Sequence, residues 1–295
     1  MKTRRSALQL LCASSGAALF SGTSNAAAET GSFRIGACDW SIGQKQNPAA
    51  FDVAREIGLE GVQVSFSDPG ADFDLRDAEV RRLYYRKVEE SGVKIASLGM
   101  GILNQMPLAT HPESIQWVGD VVDVMAAMQK EQPDKAPKIC LLAFFGKGDI
   151  NGRPELIDAV IKKLKTVVTK AEEHGVILGI ESLLSAEDHV RIIDGVGSKN
   201  IQVYYDSANS DRMGYNIYEE LIRIGGERIC QVHCKENGEL LGHGVIDFPR
   251  FKKSLDAAGY GDWLIIEGAM PKGADVVDAY QKNFRTLHQI FRSNA

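Results

Sequence analysis

Four polar residues that close strongly apolar runs are the part of this sequence best suited to chemistry. Glu181 follows VILGI, Asp206 follows IQVYY, His233 follows ICQV and Glu267 follows WLII. Those runs are too apolar to lie exposed, so each carboxylate stands at the mouth of a buried segment, where an unpaired charge is costly. Taken singly, such an acid pairs with an Arg or Lys or caps the following helix. Four in succession favour another reading, one divalent cation shared by three carboxylates and an imidazole, with Mn²⁺ first and Mg²⁺, Co²⁺ and Zn²⁺ open by ligand type. A cation of this kind acidifies the C–H between a carbonyl and an adjacent hydroxyl, and a neighbouring carboxylate removes that proton through an enediolate. Glu181 and Glu267 are the expected catalytic pair. Facing opposite sides of a substrate they would epimerise it, and return of the proton to the neighbouring carbon would interconvert aldose and ketose. A hydride shift is a third route open to the same ligands.

The elements that must position these groups alternate with a regular rhythm. Eight β-like runs are read at 33–40, 61–66, 93–100, 138–144, 176–182, 201–206, 229–235 and 263–268. Helical stretches with three- and four-residue apolar spacing lie between them, several closing on glycine, as at Gly58, Gly92, Gly175 and Gly259. This repetition predicts one (β/α)8 barrel over residues 29–295, a doubly wound open sheet being the alternative. No G-x-G-x-x-G opens a helix after the first run, which counts against a dinucleotide fold.

Active sites of such barrels lie at the C-terminal strand ends. Side chains alternate along a strand, so Lys235 points the same way as His233 and is an expected substrate contact, a structural ion pair being the other reading. Lys147 in Gly146-Lys147-Gly148-Asp149 and Asn104 after the third run are further expected contacts. Trp40 is placed at the mouth, and Phe144 and Phe145 at the mouth or in the core. Backbone N–H groups of Gly242-His243-Gly244, with Asp247 after them, would either shape a turn or bind a phosphate or sugar.

The segments GVILGIESLLSAEDH, VYYDSANS, VHCKENGELLGHGVIDF and YGDWLIIEG resemble the xylose isomerase-like barrel superfamily of sugar and sugar-phosphate isomerases and epimerases. The likeness runs along nearly the whole chain beyond the leader and is strongest in the second half. It implies that Glu181, Asp206, His233 and Glu267 are metal ligands and that Glu187 is a substrate-contacting acid. Two departures stand out. Asn209 replaces the histidine that ketose 3-epimerase-like members often carry three residues after the sixth-strand Asp, and it is taken as a substrate contact here. The usual His-x-Lys-Asp reads His233-Cys234-Lys235-Glu236. The expected activity is a metal-dependent isomerase or epimerase of a sugar or keto-sugar, sugar phosphates included. The alternative is a lyase or hydrolase acting on 3-keto-glycosides in the same pocket.

Composition sets outer bounds. The chain has 295 residues, 44% apolar and 25% charged, as a globular protein requires. Residues 1–28 carry Lys2, Arg4 and Arg5, an apolar run from Ala7 to Phe20 and small residues up to Ala28. This reads as a cleaved signal peptide of twin-arginine type, directing the protein to the periplasm, because the run falls short of the roughly 20 residues of a membrane span. The net charge of −5 becomes −8 without those three basic residues. So acidic a protein is a poor nucleic-acid binder, and His233 is the one clear strand-end histidine, against an apurinic-site endonuclease with a three-zinc cluster. A small carbohydrate is the expected partner, a sugar-binding barrel without turnover is a further reading, and homo-oligomerisation stays open. Cys140 and Cys230, in apolar runs, read as inert buried thiols.

Overall fold

The computed structural model describes residues 33–66 and 70–292. The expected leader, residues 1–28, lies outside them. The strands are β1 (Arg34–Cys38), β2 (Gly61–Ser65), β3 (Lys94–Met100), β4 (Ile139–Phe144), β5 (Ile177–Ser182), β6 (Ile201–Asp206), β7 (Ile229–Cys234) and β8 (Trp263–Ile266). They pair in parallel in sequence order, and β8 returns to β1 through pairs such as Ile35 with Leu264, closing the barrel. That closure excludes the open-sheet alternative.

Around the barrel run α1 (Ala50–Ile57), α2 (Ala78–Ser91), α3 (Ser114–Glu131), α4 (Pro154–Glu173), α5 (Ala186–Val196), α6 (Ser207–Arg212), α7 (Ile217–Ile224), α8 (Phe248–Ala258) and α9 (Val276–Arg292). Local chemistry sets their ends. Pro154 opens α4, and its buried stripe of Ile157, Val160, Leu164, Val167, Val168 and Ala171 recurs at helical spacing against the sheet. Asp247 caps α8 through the Arg250 N–H at 3.0 Å, and Gly259 ends it in the left-handed region at φ 81°. No described helix is long and apolar enough to cross a membrane.

All eight expected strands are present, most of them one or two residues shorter than their apolar runs. The runs continue past the last ladder bond, so Lys235 and Glu267 lie just beyond β7 and β8. Cys38, Cys140, Cys230 and Cys234 are all buried and free.

Candidate active site

Register brings the four strand-closing residues to one level. Asp206 pairs with His233 across β6 and β7, and the Glu267 N–H donates to the Cys234 carbonyl at 3.2 Å, just above the Cys234–Ile266 pair. Glu181 lies two strands from His233, yet its Oε1 is 2.9 Å from His233 Nδ1 because both side chains point into the barrel. From the same nitrogen, Glu267 Oε2 is 3.5 Å away and Asp206 Oδ2 3.8 Å. One ligand atom from each of the four residues falls within 4.8 Å of all the others.

The donor set fits a divalent cation. Asp206 Oδ1 caps α6 by accepting the Asn209 N–H at 2.7 Å, whereas Oδ2 is buried with no hydrogen-bond partner. An orphaned carboxylate oxygen in a buried site is expensive unless a cation takes it up. Counted formally, with the three carboxylates ionised and His233 neutral as ligands to a metal must be, the cluster and Lys235 together carry two negative charges, the number a divalent ion neutralises.

Electrostatics supports the same conclusion. Burial pushes the Asp206 carboxyl up, with Lys235 opposing it. Burial would also raise Glu267, but His233 and Lys235 hold its carboxyl well below the usual range. For His233, burial favours the neutral ring and the surrounding carboxylates overcome it, raising its pKa.

Lys235 reaches the cluster as strand alternation predicts. Its Nζ donates to Glu267 Oε2 at 2.7 Å and lies 3.6 Å from Asp206 Oδ2. Burial would lower its pKa, but Asp206, Glu267 and Glu181 raise it. Lys235 therefore stays charged.

A cavity of about 450 Å³ opens over the cluster. Of the four, Glu181 and Glu267 line it, while Asp206 and His233 lie beneath. Its far wall comes from the ends of β1 to β4 and includes Trp40, Gln46, Phe66, Asn104 and Phe145. Asn104 thus stands at the cavity, its Oδ1 accepting the Phe145 N–H at 2.9 Å. Phe144 is core and Phe145 is wall.

Three expected contacts stand apart from it. Glu187 is exposed in the first turn of α5, and Lys147 is exposed on the 3-10 turn after β4. Asn209 is buried in α6, its amide oxygen accepting from Arg212 at 3.2 Å. None of the three lines the cavity. For Glu187 and Asn209 helix phase, which the spacing from a neighbouring ligand does not reveal, turns the side chain elsewhere, and for Lys147 the course of the loop after β4 does so.

The loop after β7 is a turn. Glu236 is 2% exposed, and its carboxylate accepts the N–H groups of Val245 at 3.2 Å and Ile246 at 3.1 Å. Gly244 packs so tightly on this carboxylate that a Cβ there would collide with it. Glutamate, where the resembled family usually has aspartate, reaches one carbon further and engages two N–H groups that directly follow Gly242–Gly244.

Sequence reading missed the layer behind the ligands. Gln63 Oε1 accepts from His233 Nε2 at 2.8 Å and from the Cys38 thiol at 3.2 Å, both fully buried. With Nε2–H held there, Nδ1 keeps its lone pair for a metal. The signal was present, an amide at an inward position of the mostly apolar GVQVSF. Asp39 is a second case. Its carboxylate accepts the Gln46 N–H at 2.9 Å, the Ser65 N–H at 2.7 Å and the Ser65 hydroxyl at 2.6 Å, tying the loop after β1 to β2.

A family description, the xylose isomerase-like TIM barrel, matches residues 51–290. The chain belongs to this family. Among curated relatives of this xylose isomerase-like barrel, a 2-epi-5-epi-valiolone 7-phosphate 2-epimerase from Actinoplanes sp. is 25% identical over 182 residues. That match covers 61% of this chain and 64% of the relative. Two solved structures share the fold. L-ribulose 3-epimerase aligns with TM-score 0.68 at 18% identity over 88% of this chain and 95% of its own. The IOLI protein with a binding zinc atom aligns with TM-score 0.67 at 16% identity, over 88% and 99%.

Proposed function

We propose that this barrel is a divalent-metal-dependent epimerase or isomerase of a sugar or keto-sugar. The observation that carries the reading is the layering of the cluster. Glu181 and Glu267 face the cavity, while Asp206 and His233 lie below and complete the ligand set. Related proteins named as epimerases support proton transfer over elimination, and a relative with a zinc atom supports a metal in this family.

Glu181, Asp206, His233 and Glu267 would hold the ion, which when bound polarises a carbonyl and its neighbouring hydroxyl. The protein's own groups do the rest. Glu267, which Lys235 keeps ionised, takes the proton from the carbon beside the carbonyl, and Glu181, protonated from solvent, returns one, either to the opposite face or to the next carbon. Lys235 keeps Glu267 ionised and offsets negative charge growing on the substrate oxygens. Phe145 and Trp40 offer aromatic faces to the C–H face of the sugar. We further propose that residues 1–28 direct export to the periplasm, a reading that rests on their basic, apolar and small-residue order and is checked by N-terminal sequencing of the mature protein.

The test is elemental analysis of purified protein, a Mn²⁺ thermal-shift series on wild type and His233→Ala, and a screen of ketoses for deuterium uptake from D₂O. Stoichiometric metal, a shift lost in the variant, and Mn²⁺-dependent exchange at one carbon are expected. No metal and no shift would make the four strand-end residues structural and end the proposal.

A further inference from the structure

Glu267 is held differently from Glu181. Trp40 Nε1 donates to Glu267 Oε1 at 2.9 Å, and Lys235 Nζ donates to Oε2 at 2.7 Å, so each oxygen is held by its own donor. Oε2 is the oxygen that faces His233 Nδ1. Trp40 is 227 residues from Glu267 in sequence and reaches it across the β1–β8 seam. Its indole also lines the cavity and meets the His233 ring edge-on, with centroids 6.3 Å apart. The ring lies where the floor of the barrel has no side chain, because a Cβ on Gly99 would come within 3.3 Å of two of its carbons.

We infer that Trp40 is a positioning residue for Glu267. Its N–H fixes the carboxylate so that Oε2 alone turns toward the metal site, and Gly99 provides the seat that sets the ring's angle. An indole N–H donates one hydrogen bond and accepts none, so it favours a single orientation of an ionised carboxylate. This inference rests on the metal-binding reading of the cluster and adds to it the group that orients one ligand.

The experiment is Mn²⁺ affinity by isothermal titration and electron paramagnetic resonance, measured on wild type, Trp40→Phe, Gly99→Ala, Glu267→Ala and the Trp40→Phe/Glu267→Ala double variant. Circular dichroism and metal-free Tm establish that each variant is folded. Trp40→Phe keeps an aromatic ring but loses the N–H donor together with part of the ring seated on Gly99, and its affinity should fall about 10-fold or more, as when the outer partner of a metal ligand is removed. Gly99→Ala, which displaces the ring but keeps the indole, should give a smaller fall. The double variant should bind no more weakly than Glu267→Ala, since Trp40 acts through that carboxylate. Unchanged affinity in Trp40→Phe, or losses that simply add in the double variant, would overturn the positioning role and leave the metal reading standing. Absence of Mn²⁺ binding by the wild type would overturn both, so the two failures are told apart by the wild-type titration.

Discussion

The two halves of the barrel divide the work. The ends of β5 to β8 supply a buried, charged cluster in which ligand atoms of Glu181, Asp206, His233 and Glu267 lie within 4.8 Å of one another. The ends of β1 to β4 supply a largely neutral wall of aromatic and amide side chains, including Trp40, Gln46, Phe66, Asn104 and Phe145. Charges that must act together have to be held by short contacts in a low-dielectric setting, whereas a wall that selects a substrate needs shape and scattered polar groups. The halves are joined where Trp40 and Gln63, from the first, hold Glu267 and His233 of the second.

The largest effect that would test this division is at Glu181. Glu181→Gln should reduce solvent proton exchange into substrate about 10² to 10⁴-fold, read by deuterium incorporation, with the barrel still folded. Retained exchange would remove the carboxylate half from the chemistry. Next comes the join. Gln63→Leu should weaken Mn²⁺ binding by about 10 to 100-fold, because His233 loses the acceptor that sets its tautomer, while Gln63→Glu should retain more affinity. Calorimetric titration of both variants checks it.

A smaller effect is expected at the wall. Phe145→Ala should raise KM by about 10-fold or less with kcat nearly unchanged, the pattern of lost uniform binding. A fall in kcat alone would move Phe145 into the chemical half. The smallest effect concerns Asp39, which ties down the wall. Burial raises its carboxyl from 3.8 to about 6, against hydrogen bonds from Ser65, Gln46 and Trp40. A carboxyl raised by folding takes up a proton on folding, so its contribution is fully present below the unfolded value and is lost as pH rises through the folded one. The destabilisation caused by Asp39→Asn should therefore be larger at pH 5 than at pH 7.5, by about 1 kcal/mol in urea unfolding. An equal penalty at both values would show that Asp39 ionises alike in the folded and unfolded chains.

Legibility followed the same division. Glu181, Asp206, His233 and Glu267 could be picked out because a charge closing an apolar strand is anomalous by itself, and Lys235 followed from the two-residue alternation. Helix phase and loop course lack such a signal. Glu187 and Lys147 were expected at the substrate and are exposed away from the cavity, and Asn209 is spent inside α6. The Gly242–Gly244 loop was open between turn and anion site until Glu236 was seen to occupy its neighbouring N–H groups.

By itself the sequence determined the repeating strand and helix rhythm, the count of eight strands and the polar residues at their ends, since apolar periodicity and local caps are properties of neighbouring residues. Only the tertiary structure decided that the sheet closes, that Trp40 meets Glu267 and that Gln63 meets His233. Those pairs lie 227 and 170 residues apart, and their contact depends on barrel register and on the space left at Gly99. No local pattern encodes a distance of that kind, because it is set by how all eight strands tilt and pack together.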